Sequence, residues 1–229
     1  MDYCFLVRQD RAINPVGALG MAEKMRRLVA GAALVAAVGF IGWQAYQVYG
    51  PDPDPFASCR NGQIAGGAGA IGGPFTLIDG QGRTVTDKDV ITEPTLVYFG
   101  YTSCPDVCPL DNLRNSEAVD ILEERGISAT PLFISIDPDR DTAQVMADYA
   151  KNMHPKMIGL TGSADQVRQA AQAYRVFYRK QDDGGEFYLV DHSTFTYLVL
   201  PGTGFVDFFR RETTSEEMAE RVACFTDRS

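Results

Sequence analysis

The segment Thr95–Pro109 (TLVYFGYTSCPDVCP) constrains the fold more than any other part of the chain. Thr95 to Phe99 is a short apolar run rich in β-branched and aromatic residues, which predicts a buried strand. Gly100 interrupts that run, and Cys104 and Cys108 follow with three residues between them. Pro109 suits the first turn of a helix, where its missing N–H costs nothing, and this places Cys108 near the N-cap. Leu110, Leu113, Ala118, Ile121 and Leu122 then recur at helical spacing until Gly126. Two thiols are therefore expected at a strand-to-helix junction, facing free N–H groups and the positive end of a helix dipole. Such a setting favours the thiolate, the form that binds metal or attacks a disulfide.

The flanking segments extend the pattern. Phe75–Ile78 and Thr84–Thr86, separated by Asp79-Gly80-Gln81-Gly82, predict a β-hairpin. Ala129–Ile136 is a second apolar strand, and Asp137 to Asp141 form a turn whose last residue is placed to cap a helix carrying Val145, Met146 and Tyr149. Met157–Leu160 is a short strand. Ser163 and Gln166 form a capping box opening a helix with Val167, Ala170, Ala171, Tyr174, Phe177 and Tyr178 on one face. Phe187–Val190 and Thr194–Leu200 read as strands on either side of Asp191-His192-Ser193. A turn at Pro201–Gly204 leads into Phe205–Phe209, and Thr214 with Glu217 caps a last helix. Alternating β and α units closed by an antiparallel hairpin imply an α/β mixed sheet with helices on both faces. Dithiol chemistry at the end of its central strand points to a thioredoxin-like fold.

The N-terminal part is of a different kind. Leu28 to Trp43 is continuously apolar, preceded by Lys24, Arg26 and Arg27 and followed by Asp52 and Asp54. The flanking charges predict a single transmembrane helix over 28–49, with residues 1–27 in the cytoplasm and the rest on the far side. A cleaved signal peptide is the competing reading, but no small-x-small site follows Trp43, and Trp43, Tyr46 and Tyr49 suit a retained anchor. Met21 or Met25 would be a conventional start, so residues 1–20 read as a mis-annotated extension. Residues 50–71, with a Pro-Asp repeat and then a Gly/Ala-rich tract, are expected to be a linker, and 72–229 the folded domain. Of 21 basic and 30 acidic residues, five and three precede Gly50, leaving 16 against 27 and a net charge of −11 beyond it. So acidic a body, with no basic patch, argues against nucleic acid as a partner.

Cys59 and Cys224 are expected on the exported side, where a disulfide persists; a bond between them and two free thiols are both open. Two histidines remain. His192 precedes a strand that a thioredoxin-like sheet sets beside the cysteine-bearing strand, so it is the candidate third ligand. Two thiolates and one imidazole make a soft, low-coordinate set that selects copper. Asp191 is placed to orient the ring or balance its charge. A hydrogen-bonded structural histidine is the alternative. His154, in Met153-His154-Pro155-Lys156-Met157, reads as a helix C-terminus among core methionines rather than a second metal site.

The segment Tyr98–Pro109 (YFGYTSCPDVCP) resembles the hallmark of the Sco/SenC family, membrane-anchored thioredoxin-fold proteins of cytochrome c oxidase copper assembly. The resemblance continues through 134–142 (ISIDPDRDT), 154–162 (HPKMIGLTG) and 188–192 (YLVDH), and covers roughly Gly72 to Phe225. It implies that Cys104, Cys108 and His192 bind one copper ion, Cu(I) or Cu(II). It also implies delivery to the CuA centre of oxidase subunit II, or reduction of that centre's cysteines by Cys104 and Cys108 as a redox pair. Other copper chaperones or thiol reductants are the further partners implied. The setting implied is a single-pass protein of the inner (cytoplasmic) membrane with its domain on the periplasmic side. Extra cysteines 59 and 224 depart from the family pattern.

Overall fold

The computed structural model describes residues 15–49, 54–60, 68–181 and 187–229. The chain divides into two units, one ending at Pro53 and one running from Asp54 to Ser229. The first contains helix α1 (Pro15–Tyr49). Its Glu23–Gln47 stretch of 25 residues is long and apolar enough to cross a membrane, at about 1.5 Å per residue. The helix begins ahead of the expected Leu28, at Pro15, a residue whose fixed φ and missing N–H suit a first turn. Residues 1–14 lie outside the described residues.

The second unit opens with Asp54–Arg60, which was expected to be linker. It instead packs on the domain: Phe56 and Cys59 are buried, Phe56 lies 5.3 Å from the Phe225 ring, and Arg60 Nε donates to the Val206 carbonyl at 2.8 Å. Cys59 and Cys224 are joined in a disulfide. Residues 61–67 lie outside the described residues. Gly72 is again docked, its N–H donating to the Ala173 carbonyl at 2.9 Å. The folded unit therefore starts near Asp54, earlier than the expected Gly72.

Strands β1 (Thr76–Asp79) and β2 (Thr84–Thr86) pair antiparallel as the Gly-rich turn predicts. A short helix α2 (Asp87–Val90) leads to β3 (Thr95–Gly100), whose six residues are all buried. Then follow α3 (Val107–Glu124), β4 (Thr130–Ser135), α4 (Ala143–Met153), β5 (Ile158–Thr161) and α5 (Ala164–Ala173). A ribbon of β6 (Tyr178–Lys180) and β7 (Val190–His192) precedes β8 (Thr196–Leu200), β9 (Gly204–Phe209) and α6 (Ser215–Thr226). The main sheet has the order β2-β1-β5-β4-β3-β8-β9. β3 is parallel to β4 and antiparallel to β8, so the strand after the ribbon does run beside the cysteine-bearing strand.

The pleat of β3 turns Leu96 away from Val97 and Phe99, and Tyr98, on the face of Leu96, reaches Asp111 beside the cysteines rather than the core of Leu96. Leu96 joins Leu122, Leu198, Val222 and Phe225 beneath α3 and α6, while Val97 and Phe99 join Val167, Ala170 and Tyr174 beneath α5. Capping boxes at Ser163 and Thr214 open α5 and α6 as predicted. Two expectations change. Helix α5 stops at Ala173 and Arg175 takes φ +54°, so Phe177 is exposed and Tyr178 enters β6. Leu110 and Leu113, which mark the helical spacing of this segment, are 56% and 49% exposed, so the apolar repeat and the buried face do not coincide here. The inward side of α3's first turns carries Cys108, Asp111, Asn112 and Asn115 instead, because this end of the helix covers a polar site.

Candidate metal centre

The site is built on the carboxyl end of β3. At Gly100 a Cβ would lie 2.9 Å from Cys108 Sγ and 3.0 Å from the Phe133 and Tyr98 rings, so only glycine lets the thiol press against the strand. The chain then turns, with Cys104 N–H donating to the Tyr101 carbonyl at 3.2 Å, and α3 starts at Val107. Cys108 is thus inside the first turn, with Asp106 at the N-cap.

The two thiols differ. Burial alone would raise the pKa of Cys104, but backbone N–H groups of Asp106 and Cys108 outweigh it and hold the thiol below its usual range. The Cys108 N–H lies 3.4 Å from Cys104 Sγ, one of the orphan donors of the helix start. Cys108 is fully buried, and burial pushes its thiol up. The expected activation by the helix N-terminus therefore reaches Cys104 alone, because Cys108 lies inside the turn whose amides point past it.

His192 ends β7 rather than sitting in a loop. Its Nε2 lies 3.3 Å from Cys108 Sγ, and its Nδ1 lies 2.9 Å from the Ser193 carbonyl. That carbonyl can only accept, so Nδ1 carries the proton and Nε2 presents its lone pair to the sulfur side. Burial lowers the pKa of the ring and keeps it neutral, the form that binds metal. The rings of Tyr98 and Tyr101 meet the imidazole edge-on, with centroids 6.1 and 6.0 Å away.

Asp191, the residue expected to orient the imidazole, makes no hydrogen bond to it. Its carboxylate is taken by Arg179 at 3.0 Å and Gln181 at 2.5 Å, because alternation along β7 sends neighbouring side chains to opposite faces. The Ser193 carbonyl does that work. His154 caps α4, with Nε2 3.0 Å from Asp120 and Nδ1 accepting the Lys156 N–H at 3.1 Å; both nitrogens are occupied within the fold.

Cys104 Sγ, Cys108 Sγ and a His192 nitrogen lie within 4.8 Å of one another. Three donors each roughly 2.0–2.3 Å from one ion would sit about 3.5–4 Å apart, so the set would need a small inward adjustment to hold a single soft cation.

Other functional side chains have no obvious mark in the sequence. Tyr98 donates to Asp111 Oδ2 at 2.9 Å in the buried layer under Cys108. Asp141, expected as a helix cap, is fully buried and yields that role to Thr142. It accepts from Thr102 N at 3.0 Å, from the Thr102 hydroxyl, and from Ser135 Oγ at 2.6 Å, pinning the loop that leads to Cys104. The density of polar residues in 111–116 and 135–141 was the available signal.

A dithiol at the carboxyl end of the central strand of a mixed sheet, faced by a neutral imidazole, defines a thioredoxin-like protein built for soft-metal or thiol chemistry. A sequence model of the SCO1/SenC family matches residues 64–227. Protein SenC of Rhodobacter capsulatus is 50% identical over 210 residues, covering 91% of this chain and 93% of that protein. The human mitochondrial SCO1 homolog is 43% identical over 67% of this chain and 52% of its own length, so the chain spans about half of that relative. Among solved structures, copper-bound ScoI of Arabidopsis thaliana superposes with a TM-score of 0.65 at 42% identity, over 69% of this chain and 99% of that one. Copper-bound ScoI of Bradyrhizobium japonicum gives 0.61 at 38%, over 67% and 98%. The chain belongs to the SCO1/SenC family.

Proposed function

We propose that this protein is a membrane-anchored copper metallochaperone serving cytochrome c oxidase, with Cys104, Cys108 and His192 holding copper as cargo. The observation that carries this reading is the convergence of two sulfurs and an accepting imidazole nitrogen within 4.8 Å. Relatives solved with copper bound support it. The reduced dithiol binds Cu(I) as thiolates and releases protons, so a Cys104–Cys108 disulfide must be reduced before loading. With three ligands rather than four, the ion stays open to stepwise exchange with thiolates and imidazoles of an acceptor. The acceptor in this reading is the CuA centre of oxidase subunit II, and other copper chaperones or thiol reductants supply copper or electrons. Helix α1 anchors the chain in the inner membrane with the domain on the periplasmic side. The Cys59–Cys224 bond supports that side, since disulfides persist in oxidising compartments.

A second reading is favoured by the asymmetry of the thiols. Cys104, with its lowered pKa, attacks a partner disulfide and forms a mixed disulfide, releasing one partner thiolate. Cys108 then loses its proton and attacks Cys104, freeing the second thiol; two electrons pass to the partner and Cys104–Cys108 becomes a disulfide. Copper titration of His192→Ala separates the readings. A loss of affinity of at least about tenfold for Cu(I) or Cu(II) is expected of a metal site. Unchanged affinity for both ions, with turnover on a model disulfide, would leave the reductase reading in possession.

A further inference from the structure

Among the described residues β7 pairs with β6 alone, Tyr178 standing opposite His192, and this ribbon lies outside the seven-stranded sheet, so no hydrogen bond to that sheet holds His192 over the cysteines. The ribbon is tied down elsewhere. Tyr188, two residues before β7, donates its hydroxyl to Asp137 Oδ1 at 2.6 Å. The other oxygen of Asp137 takes Arg140 Nε, and Arg140 Nη1 donates to the Tyr188 carbonyl at 3.1 Å. The Arg140 guanidinium carbon lies 3.7 Å from the Tyr188 ring centroid and 5.5 Å from that of Tyr101. Tyr101 in turn accepts the Val190 N–H at 3.3 Å and packs edge-on against His192. Burial and the Asp137 carboxylate push the Tyr188 hydroxyl up to about 12, so it remains a donor.

The other half of the site is tied to the same place. Asp141, four residues after Asp137, holds Thr102 at the start of the cysteine loop, and Ser135 Oγ links the two carboxylate positions by donating to Asp141 and accepting the Asp137 N–H at 3.0 Å. A single loop, Ser135 to Asp141, thus anchors both ligand-bearing segments.

We propose that Asp137, Arg140 and Tyr188 form a latch that positions His192 against Cys104 and Cys108, and so sets how firmly the third donor retains copper. These are positioning residues: none is a donor in the Cys104–Cys108–His192 set. The inference rests on the copper reading above. Opening the latch moves the ribbon, withdraws the imidazole and leaves the ion on two thiolates, a state from which an acceptor takes it more readily.

The test uses the full chain in detergent micelles, with Cys104 and Cys108 reduced and loaded with one Cu(I). The rate of copper loss to excess bicinchoninate is measured for the parent, Arg140→Ala, Tyr188→Phe, His192→Ala and the double variant Arg140→Ala/His192→Ala. Arg140→Ala is expected to speed loss about tenfold, in the range seen when residues behind a metal ligand are removed. Tyr188→Phe, which keeps the ring and loses one hydrogen bond, should shift the rate the same way and serves if Arg140→Ala does not fold. In the His192→Ala background the Arg140 change should add less than about twofold, because a latch acts only through the histidine it positions. The nitrogen hyperfine signal of the Cu(II) form should weaken in Arg140→Ala and return in part in Arg140→Lys. The latch is overturned if both single variants release copper at the parental rate while His192→Ala releases it faster. It is equally overturned if the Arg140 effect persists undiminished without His192. Parental behaviour of His192→Ala itself would instead remove the copper reading, and the latch with it.

Discussion

Cys104 and Cys108 are chemically alike in the sequence and unlike in the fold. The N–H groups at the start of α3 converge on Cys104, while Cys108 faces the cleft left by Gly100 and is cut off from water. Cys104 should therefore form thiolate below the pH of an ordinary thiol, about 8.5, and Cys108 above it. In the metal-free reduced protein, iodoacetamide should modify Cys104 at least about tenfold faster near neutral pH. Its rate should level off at lower pH than that of a model thiol. Peptide mapping after brief labelling reads the order; equal labelling, or Cys108 first, would contradict this assignment. The residue types and their three-residue spacing were legible in the sequence. The division of roles was not, because it depends on which side of one helical turn faces water.

At the scale of elements, the β4–α4 loop and the first turns of α3 carry polar groups inward. Asp141 is surrounded by donors, and removing it leaves Thr102 N–H and two hydroxyls without a partner. Asp141→Ala should cost about 3 kcal/mol in chemical denaturation, against about 1 kcal/mol for Asp141→Asn, which keeps volume and one acceptor. A cost below about 1 kcal/mol for the alanine variant would mean the loop is held elsewhere. Burial raises the Asp141 pKa in the fold despite those donors. Its neutral form therefore stabilises the protein below the unfolded value of about 3.9, and that contribution fades as pH rises through the raised folded value. The stability of the parent relative to Asp141→Asn should accordingly be greater at pH 4 than at pH 7, and the opposite trend would refute the direction. Element order, the β1–β2 hairpin and the capping boxes followed from local pattern, and the pairing of β8 with β3 from the thioredoxin-like topology that those elements implied. The exposed Leu110 and Leu113 and the early end of α5 did not. Helical periodicity marks a face but does not say what that face meets.

For the molecule as a whole, the Cys59–Cys224 bond closes a loop across a sequence separation of 165 residues around almost the entire domain. Closing so long a loop removes much freedom from the unfolded chain, and the paired change Cys59→Ser/Cys224→Ser should cost about 3–5 kcal/mol. The loss should appear as a lower midpoint in guanidinium with the fold retained. Cys59 is buried against Phe56 and the C-terminal helix. A graded thiol reductant should therefore open an oxidised Cys104–Cys108 pair before this one, as differential alkylation would reveal; simultaneous reduction would mean the staple is exposed. The structure leaves Cys104 and Cys108 as the free pair among the described residues and assigns Cys59 and Cys224 to structure.

Near-neighbour chemistry in the sequence sufficed for the strand, the dithiol, the helix that follows and the apolar N-terminal segment. Each depends on residues close together along the chain, through periodicity, capping or length. Tertiary structure alone decided that His192 turns Nε2 toward Cys108, that Asp191 turns away, that one loop anchors both halves of the site, and that Cys59 meets Cys224. These are meetings of residues 39 to 165 positions apart or choices between faces of one element. They follow from how sheet and helices pack, a property that no local stretch of sequence contains.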